Sequence, residues 1–152
     1  MSSKKSPLIS EPLSAHPISE KLSAMREAIA SGHDVNALDD EPMLGYNEGR
    51  PLDACFNNVH MAPGNKVQDN LPVVKLLLEH GADPRLKAPS MLHPPLYHAQ
   101  YFLEKAESDE AKEFWGKVVA LFEETNARLD GEKGGERNGD ETEAKSQSEK
   151  AS

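Results

Sequence analysis

Six histidines, one cysteine and twenty-six acidic side chains are the groups in this chain with the capacity for chemistry. The closest approach to a metal cluster is His93 with His98, to which Asp53, Cys55 and His60 would add only if the chain stacked on itself. Four residues separate the two histidines, which fits neither the i, i+4 pair of a helical zinc site nor a finger spacing. His93 also precedes Pro94 and Pro95, so the pair need not share a helix face. Nucleophile chemistry has no better signature. The chain holds no glycine-rich phosphate loop, no G-x-S-x-G elbow and no His-Glu-x-x-His helix. Adjacent carboxylates such as Asp39 and Asp40 read as a solvated hairpin tip rather than an acid–base dyad. The expectation is therefore no catalytic residue, no metal and no cofactor.

The elements that would position any binding residue lie in the middle of the 152 residues. From Gly131 onward, "GEKGGERNGDETEAKSQSEKAS" has no aromatic residue and no Leu, Ile, Val or Met. It cannot bury enough apolar surface to offset the entropy of ordering it. Residues 131–152 are expected to be a disordered polar tail, and the Ser- and Pro-rich residues 1–17 a flexible segment. That opening has no apolar run long enough for a secretory signal or a membrane span. Between them, residues 18–130 carry 11 basic against 19 acidic side chains, so most of the net charge of −9 falls on the core. Such acidity opposes binding to nucleic-acid phosphates and favours a basic partner. A single cysteine rules out an intramolecular disulfide and fits a reducing compartment, cytosol or nucleus.

Apolar residues in the core recur at helical rather than alternating spacing. "SEKLSAMREAIASG" aligns Leu22, Met25, Ala28 and Ile29, with Ser19 placed to cap the start and Gly32 to end the helix. "LPVVKLLLEHGADP" has Asp69 or Asn70 as cap, Pro72 in the first turn and Gly81 as stop. "SDEAKEFWGKVVALFEETN" has Ser108 as cap, Asp109 and Glu110 at the positive helix end, a Phe114, Val118, Leu121, Phe122 stripe, and Asn126 as stop. Laid over one another, "IASGHDVNA", "LEHGADPRL" and "EETNARLDG" align without a gap. Their stops are 81 − 32 = 49 and 126 − 81 = 45 residues apart. Between them, "RPLDAC" and "PPLYHA" each open a short helix on Pro-Leu at a matching phase. Such internal periodicity marks a repeat architecture.

These residues resemble the ankyrin repeat, a turn plus two antiparallel helices with a T-P-L-H-x-A signature opening the first. "VVKLLLEHGAD" is similar to the second helix and exit of one unit, "IASGHDVNALD" to the exit of an earlier one, and "PPLYHA" to the signature at Pro95, Leu96 and Ala99. The likeness covers roughly residues 18–130. It implies an all-α, short ankyrin-like solenoid of helix-turn-helix units with hairpin loops, made of one N-terminal half repeat and two fuller ones. "NNVHMAPGNKVQDN" and "EPMLGYNEG" read as insertions. The signature's histidine is replaced by Asp53 and Tyr97, and Asp53 could accept a backbone hydrogen bond instead. Cys55 falls where the repeat places a small buried residue, and a thiol in apolar surroundings is a poor nucleophile.

The resemblance also implies a partner-binding face made of hairpin tips and first helices. By position it would hold Asp39, Asp40, Glu41, Tyr46 and Glu48 from one tip, and Lys87, Met91 and His93 from the next. Tyr97, Gln100, Tyr101 and Glu104 would come from the last short helix, unless Tyr97 and Tyr101 merely pack against the Trp115 helix. The implied function is a non-catalytic protein-binding module, monomeric before binding, acting as an adaptor or inhibitor of a basic protein. An escort for a nascent basic protein is the alternative, and an enzyme on a helical scaffold a remote one.

Overall fold

The computed structural model describes residues 6–39, 47–89 and 91–138, the last with side chains as far as residue 131. The described residues form helices and turns without a strand. In chain order the helices are α1 (Pro7–Leu13), α2 (Ile18–Ala30), α3 (Pro51–Ala54), α4 (Leu71–Glu79), α5 (Pro95–Lys105) and α6 (Asp109–Asn138), with a 3₁₀ turn, Val67–Asn70, leading into α4. None is long and apolar enough to cross a membrane.

The helices pair as α1 with α2, α3 with α4 and α5 with α6; α1 packs on α3, while α2 packs on α4 and α4 on α6. Met25, Leu52, Cys55, Val73, Val74, Leu77, Ala99, Val118 and Phe122 fill the shared core. The leucine face of "LPVVKLLLEHGADP" is thus interior, as its helical period requires.

Both glycine stops lie in the left-handed region, Gly32 at φ 103° and Gly81 at φ 102°. The surrounding hydrogen bonds repeat at the 49-residue offset. His33 N–H donates to Ala28 O at 3.0 Å, and Ala82 N–H to Leu77 O at 3.0 Å. Asp34 Oδ1 accepts the Asn36 N–H at 2.9 Å, and Asp83 Oδ1 accepts the Arg85 N–H at 3.0 Å. The two turns are also joined: Asn36 Nδ2 donates to Gly81 O at 3.0 Å, and Asp83 N–H donates to Asn36 Oδ1 at 2.9 Å.

Four expectations need correction. The N-terminal segment is not uniformly flexible, because α1 buries Leu8, Ile9 and Pro12. Ser6 caps it by accepting the Leu8 N–H at 3.2 Å. "SPL" at Ser6 to Leu8 therefore opens the partner helix of α2, and the half repeat becomes a full pair. Its proline keeps the period of the other two openings, 51 − 7 = 44 and 95 − 51 = 44. Second, Asn126 ends nothing: α6 runs through it to Asn138, into the segment expected to be disordered. Asparagine tolerates a left-handed turn but does not impose one. Here Thr125 is buried, and Arg128 Nη2 donates to Leu78 O at 2.7 Å, holding the helix against the end of α4. Residues 139–152 lie outside the described residues.

Third, Ser19 is not a cap. α2 starts at Ile18, with Pro17 at the N-cap position and no side-chain cap. Ser108 does cap α6, accepting the Ala111 N–H at 3.0 Å. Fourth, Asn70 holds the N-cap position of α4, but its side chain makes no capping bond there. Asn70 is fully buried, and its Nδ2 donates to Pro12 O and Cys55 O, both at 3.0 Å.

That inward turn of Asn70 serves a buried cation. Lys21, 1% exposed, donates from Nζ to Asn65 Oδ1 and Asn70 Oδ1 at 3.1 Å each, and to Pro12 O at 3.4 Å. Three acceptors match the three donors of an ammonium. Burial lowers the Lys21 pKa, against the opposing attraction of Asp69. The cluster ties α1, α2 and the 57–70 segment together. Within that segment the chain makes a tight turn, with Gly64 at φ 90° and the Asn65 N–H donating to Ala62 O at 3.1 Å.

Candidate interaction surface

α5 starts at Pro95 because a proline in the first turn needs no N–H partner and already has helical φ. Its buried side is Pro95 and Ala99, and small Ala99 lets the helix approach the core closely. The opposite side follows from helical geometry. Tyr97 and Tyr101, four residues apart, are each 46% exposed, and Phe102 is 42% exposed. His93, just before the helix, extends the Tyr97–Tyr101 row by one further step of four.

These rings form one contiguous set. The His93 and Tyr97 centroids are 4.0 Å apart, Tyr101 meets Phe102 edge-on at 5.7 Å, and His98 meets Phe102 edge-on at 6.5 Å. Phe102 stacks on Trp115 of α6 at 5.0 Å and 25°. Trp115 in turn contacts Phe56 at 5.4 Å, and Phe56 contacts buried Phe122 at 6.1 Å. The exposed rings are thereby anchored to the core through Phe102. His93, Tyr97, His98, Tyr101 and Phe102 line a shallow cleft of about 260 Å³ with mainly apolar walls. Burial and the neighbouring His93 lower the His98 pKa, which favours the neutral ring.

Of the residues expected on a binding face, His93, Tyr97, Gln100, Tyr101 and Glu104 are exposed and lie on or beside α5. Tyr97 and Tyr101 thus face solvent, and Phe102 is the ring that packs on the Trp115 helix. Lys87 is exposed, its Nζ donating to Met91 O at 3.0 Å, and Met91 is half-buried. Asp40, Glu41 and Tyr46 lie outside the described residues.

Asp39 and Glu48 are corrected: both are buried, at 6% and 3% exposure. The loop closes on itself, with the Asp39 N–H donating to Gly49 O at 2.6 Å and the Glu48 N–H donating to Asp39 Oδ2 at 2.8 Å. The Glu48 carboxylate accepts from Asn57 Nδ2 at 2.7 Å and pairs with His60 Nδ1 at 2.6 Å. Buried charge needs donors, and the Glu48 N–H, Asn57 and His60 provide them.

Other reactive groups serve the fold. Asp53 accepts the Arg50 N–H at 2.9 Å, the backbone bond anticipated for it. Burial raises its pKa to about 6. Cys55 is fully buried, and burial pushes its thiol pKa far up, so it has little thiolate for nucleophilic attack. Among the described residues no three His, Cys, Asp or Glu side chains converge to hold a metal ion. Sequence reasoning missed Phe102 and the ring partnership of His98. The signal was their i, i+4 spacing beside Tyr97 and Tyr101.

No protein-family model, curated protein or solved structure matches this chain.

Proposed function

We propose that this protein is a non-catalytic binding module, a short ankyrin-type helix-pair solenoid that acts as an adaptor or inhibitor of a basic protein. The reading rests chiefly on one observation, the contiguous exposed rings of α5. Exposed apolar side chains scattered singly are ordinary on a soluble surface, but a cluster of tyrosine, phenylalanine and histidine marks an interaction site. Tyrosines bring large contact area at low conformational-entropy cost. Anchoring through Phe102 and Trp115 lowers that cost further. The ankyrin-type assignment is supported by the two glycine turns with the same hydrogen bonds 49 residues apart, and by the three Pro-Leu helix openings at a 44-residue period. A net charge of −9 favours a basic partner. The single buried cysteine fits a reducing compartment, cytosol or nucleus.

The test is a photo-crosslinking amino acid at position 101, compared with the same residue at exposed Lys75 on α4. Crosslinks to a basic protein from position 101 and not from position 75 are expected. Equal labelling from both, or labelling from position 75 alone, would refute the α5 face. Capture on translating ribosomes rather than in finished complexes would convert the adaptor reading into an escort.

A further inference from the structure

We propose that the α5 cleft recognises an arginine side chain of its basic partner, holding the guanidinium against its exposed aromatic rings rather than by a carboxylate. The inference rests on the binding-module reading and names the chemistry that the same surface would take.

The cleft walls are His93, Tyr97, His98, Tyr101 and Phe102, with no Asp, Glu, Lys or Arg among them. Three of the five are phenol or phenyl rings, whose π faces carry negative potential and attract cations within about 6 Å of the centroid. A cation of this chain already makes that contact: Lys105 Nζ lies 5.8 Å from the centroid of the Tyr101 ring, at the margin of the cleft. That ring face thus already accepts a positive group, which an incoming cation would displace. The chain as a whole carries 26 acidic against 17 basic residues, a balance that favours a positively charged partner.

The absence of a carboxylate from the walls discriminates between cations. An ammonium is compact and strongly hydrated, and without a charged partner it would lose water for little return. A guanidinium is planar, delocalised and weakly hydrated, and it stacks on aromatic faces. Its edge N–H groups would remain at the open mouth, free to meet water or Glu104 on the exposed side of the same helix. A volume of about 260 Å³ is ample for the planar head and part of its stem. His98 suits this role in its neutral form, which adds no positive charge to the wall.

The experiment measures fluorescence anisotropy of three labelled peptides with the full chain: a Gly-Ser peptide carrying three arginines, its lysine counterpart, and its citrulline counterpart, neutral and nearly isosteric. The arginine peptide should bind at least fivefold more tightly than the lysine peptide, and the citrulline peptide should not bind measurably. Tyr97→Ala with Tyr101→Ala should remove most of the arginine preference. Lys105→Gln should strengthen arginine binding about two- to fivefold by clearing the Tyr101 face and one like charge, an effect that a purely structural lysine would not produce. Equal arginine and lysine affinities would overturn the proposal, as would binding unaffected by the tyrosine substitutions. Circular dichroism of each variant separates loss of binding from loss of fold. If crosslinking at position 101 captures a partner while the arginine peptide shows no preference, the arginine inference fails and the binding face stands. If both fail, the module reading falls with it.

Discussion

Leu8→Ala tests whether α1 is a structural member of the stack, because Leu8 is 1% exposed and belongs to the main hydrophobic core. Truncating a buried leucine to alanine costs about 2–5 kcal/mol, the spread reflecting how far the site can collapse. α1 is short and its Pro12 O is already engaged by Lys21, Asn65 and Asn70, which limits collapse and places the expected loss at about 3 kcal/mol. That is a large fraction of the ~5–15 kcal/mol that stabilises a typical domain. With a urea slope of about 1.5 kcal/mol/M, the midpoint should fall by about 2 M. Trp115, the only tryptophan, sits in the last helix pair and reports from the far end of the stack, while far-UV circular dichroism reports on all helices. Coincident shifts of both signals would show that the first pair stabilises the last. Ser10→Ala, at an exposed position of the same helix, is the control. A Leu8→Ala loss below about 0.5 kcal/mol, no greater than an ordinary surface substitution, would refute α1 as part of the packed unit.

Two further perturbations probe the α3 turn. Burial raises the Asp53 pKa from 3.8 to about 6, so between these values the folded state holds a proton that the unfolded state releases. This group therefore favours folding most at low pH, and its contribution declines as pH rises through 6. In urea titrations, wild type should lose up to roughly 3 kcal/mol relative to Asp53→Asn between pH 4 and 7; parallel pH profiles would contradict the buried carboxylate. Gly49→Ala and Gly81→Ala separate backbone strain from collision. Both glycines have positive φ, but a Cβ at Gly49 would lie 2.6 Å from Asp53 Oδ2, whereas one at Gly81 meets nothing within 4 Å. Gly81→Ala should cost about 1–2 kcal/mol. Gly49→Ala should cost roughly 1 kcal/mol more, because the carboxylate that caps α3 must move. Equal losses in thermal or urea unfolding would remove the collision from the account.

Local physical chemistry made several features legible from the chain alone. Gly32 and Gly81 end their helices because a glycine adopts positive φ without a Cβ penalty, and the 49-residue offset exposes the repeated turn. The leucine face of α4 follows from helical period, and Pro51 and Pro95 mark helix starts because proline prefers the first turn. Tyr97 and Tyr101 stand one turn apart by the same geometry. What these features share is that their causes lie within a few residues of one another.

Elsewhere the deciding contact is distant in sequence. "PLISEPL" has too few residues and too many prolines to declare a helix, yet it is ordered because α2 and α3 cover Leu8 and Ile9 and the Lys21 cluster holds Pro12 O. Asn126 resembles a stop, but its neighbours pack on α4 and the helix continues. Asp39 and Glu48 look like tip charges until the loop closes and donors nine to twelve residues away, the Glu48 N–H, Asn57 and His60, take up their oxygens. In the ring cleft on α5, Phe102 is held by stacking on Trp115, thirteen residues on. The sequence by itself determined the helical period, the two glycine turns and the acidic field. Only the tertiary structure decided which carboxylates stay in water and which rings do, because burial depends on what the rest of the chain brings alongside.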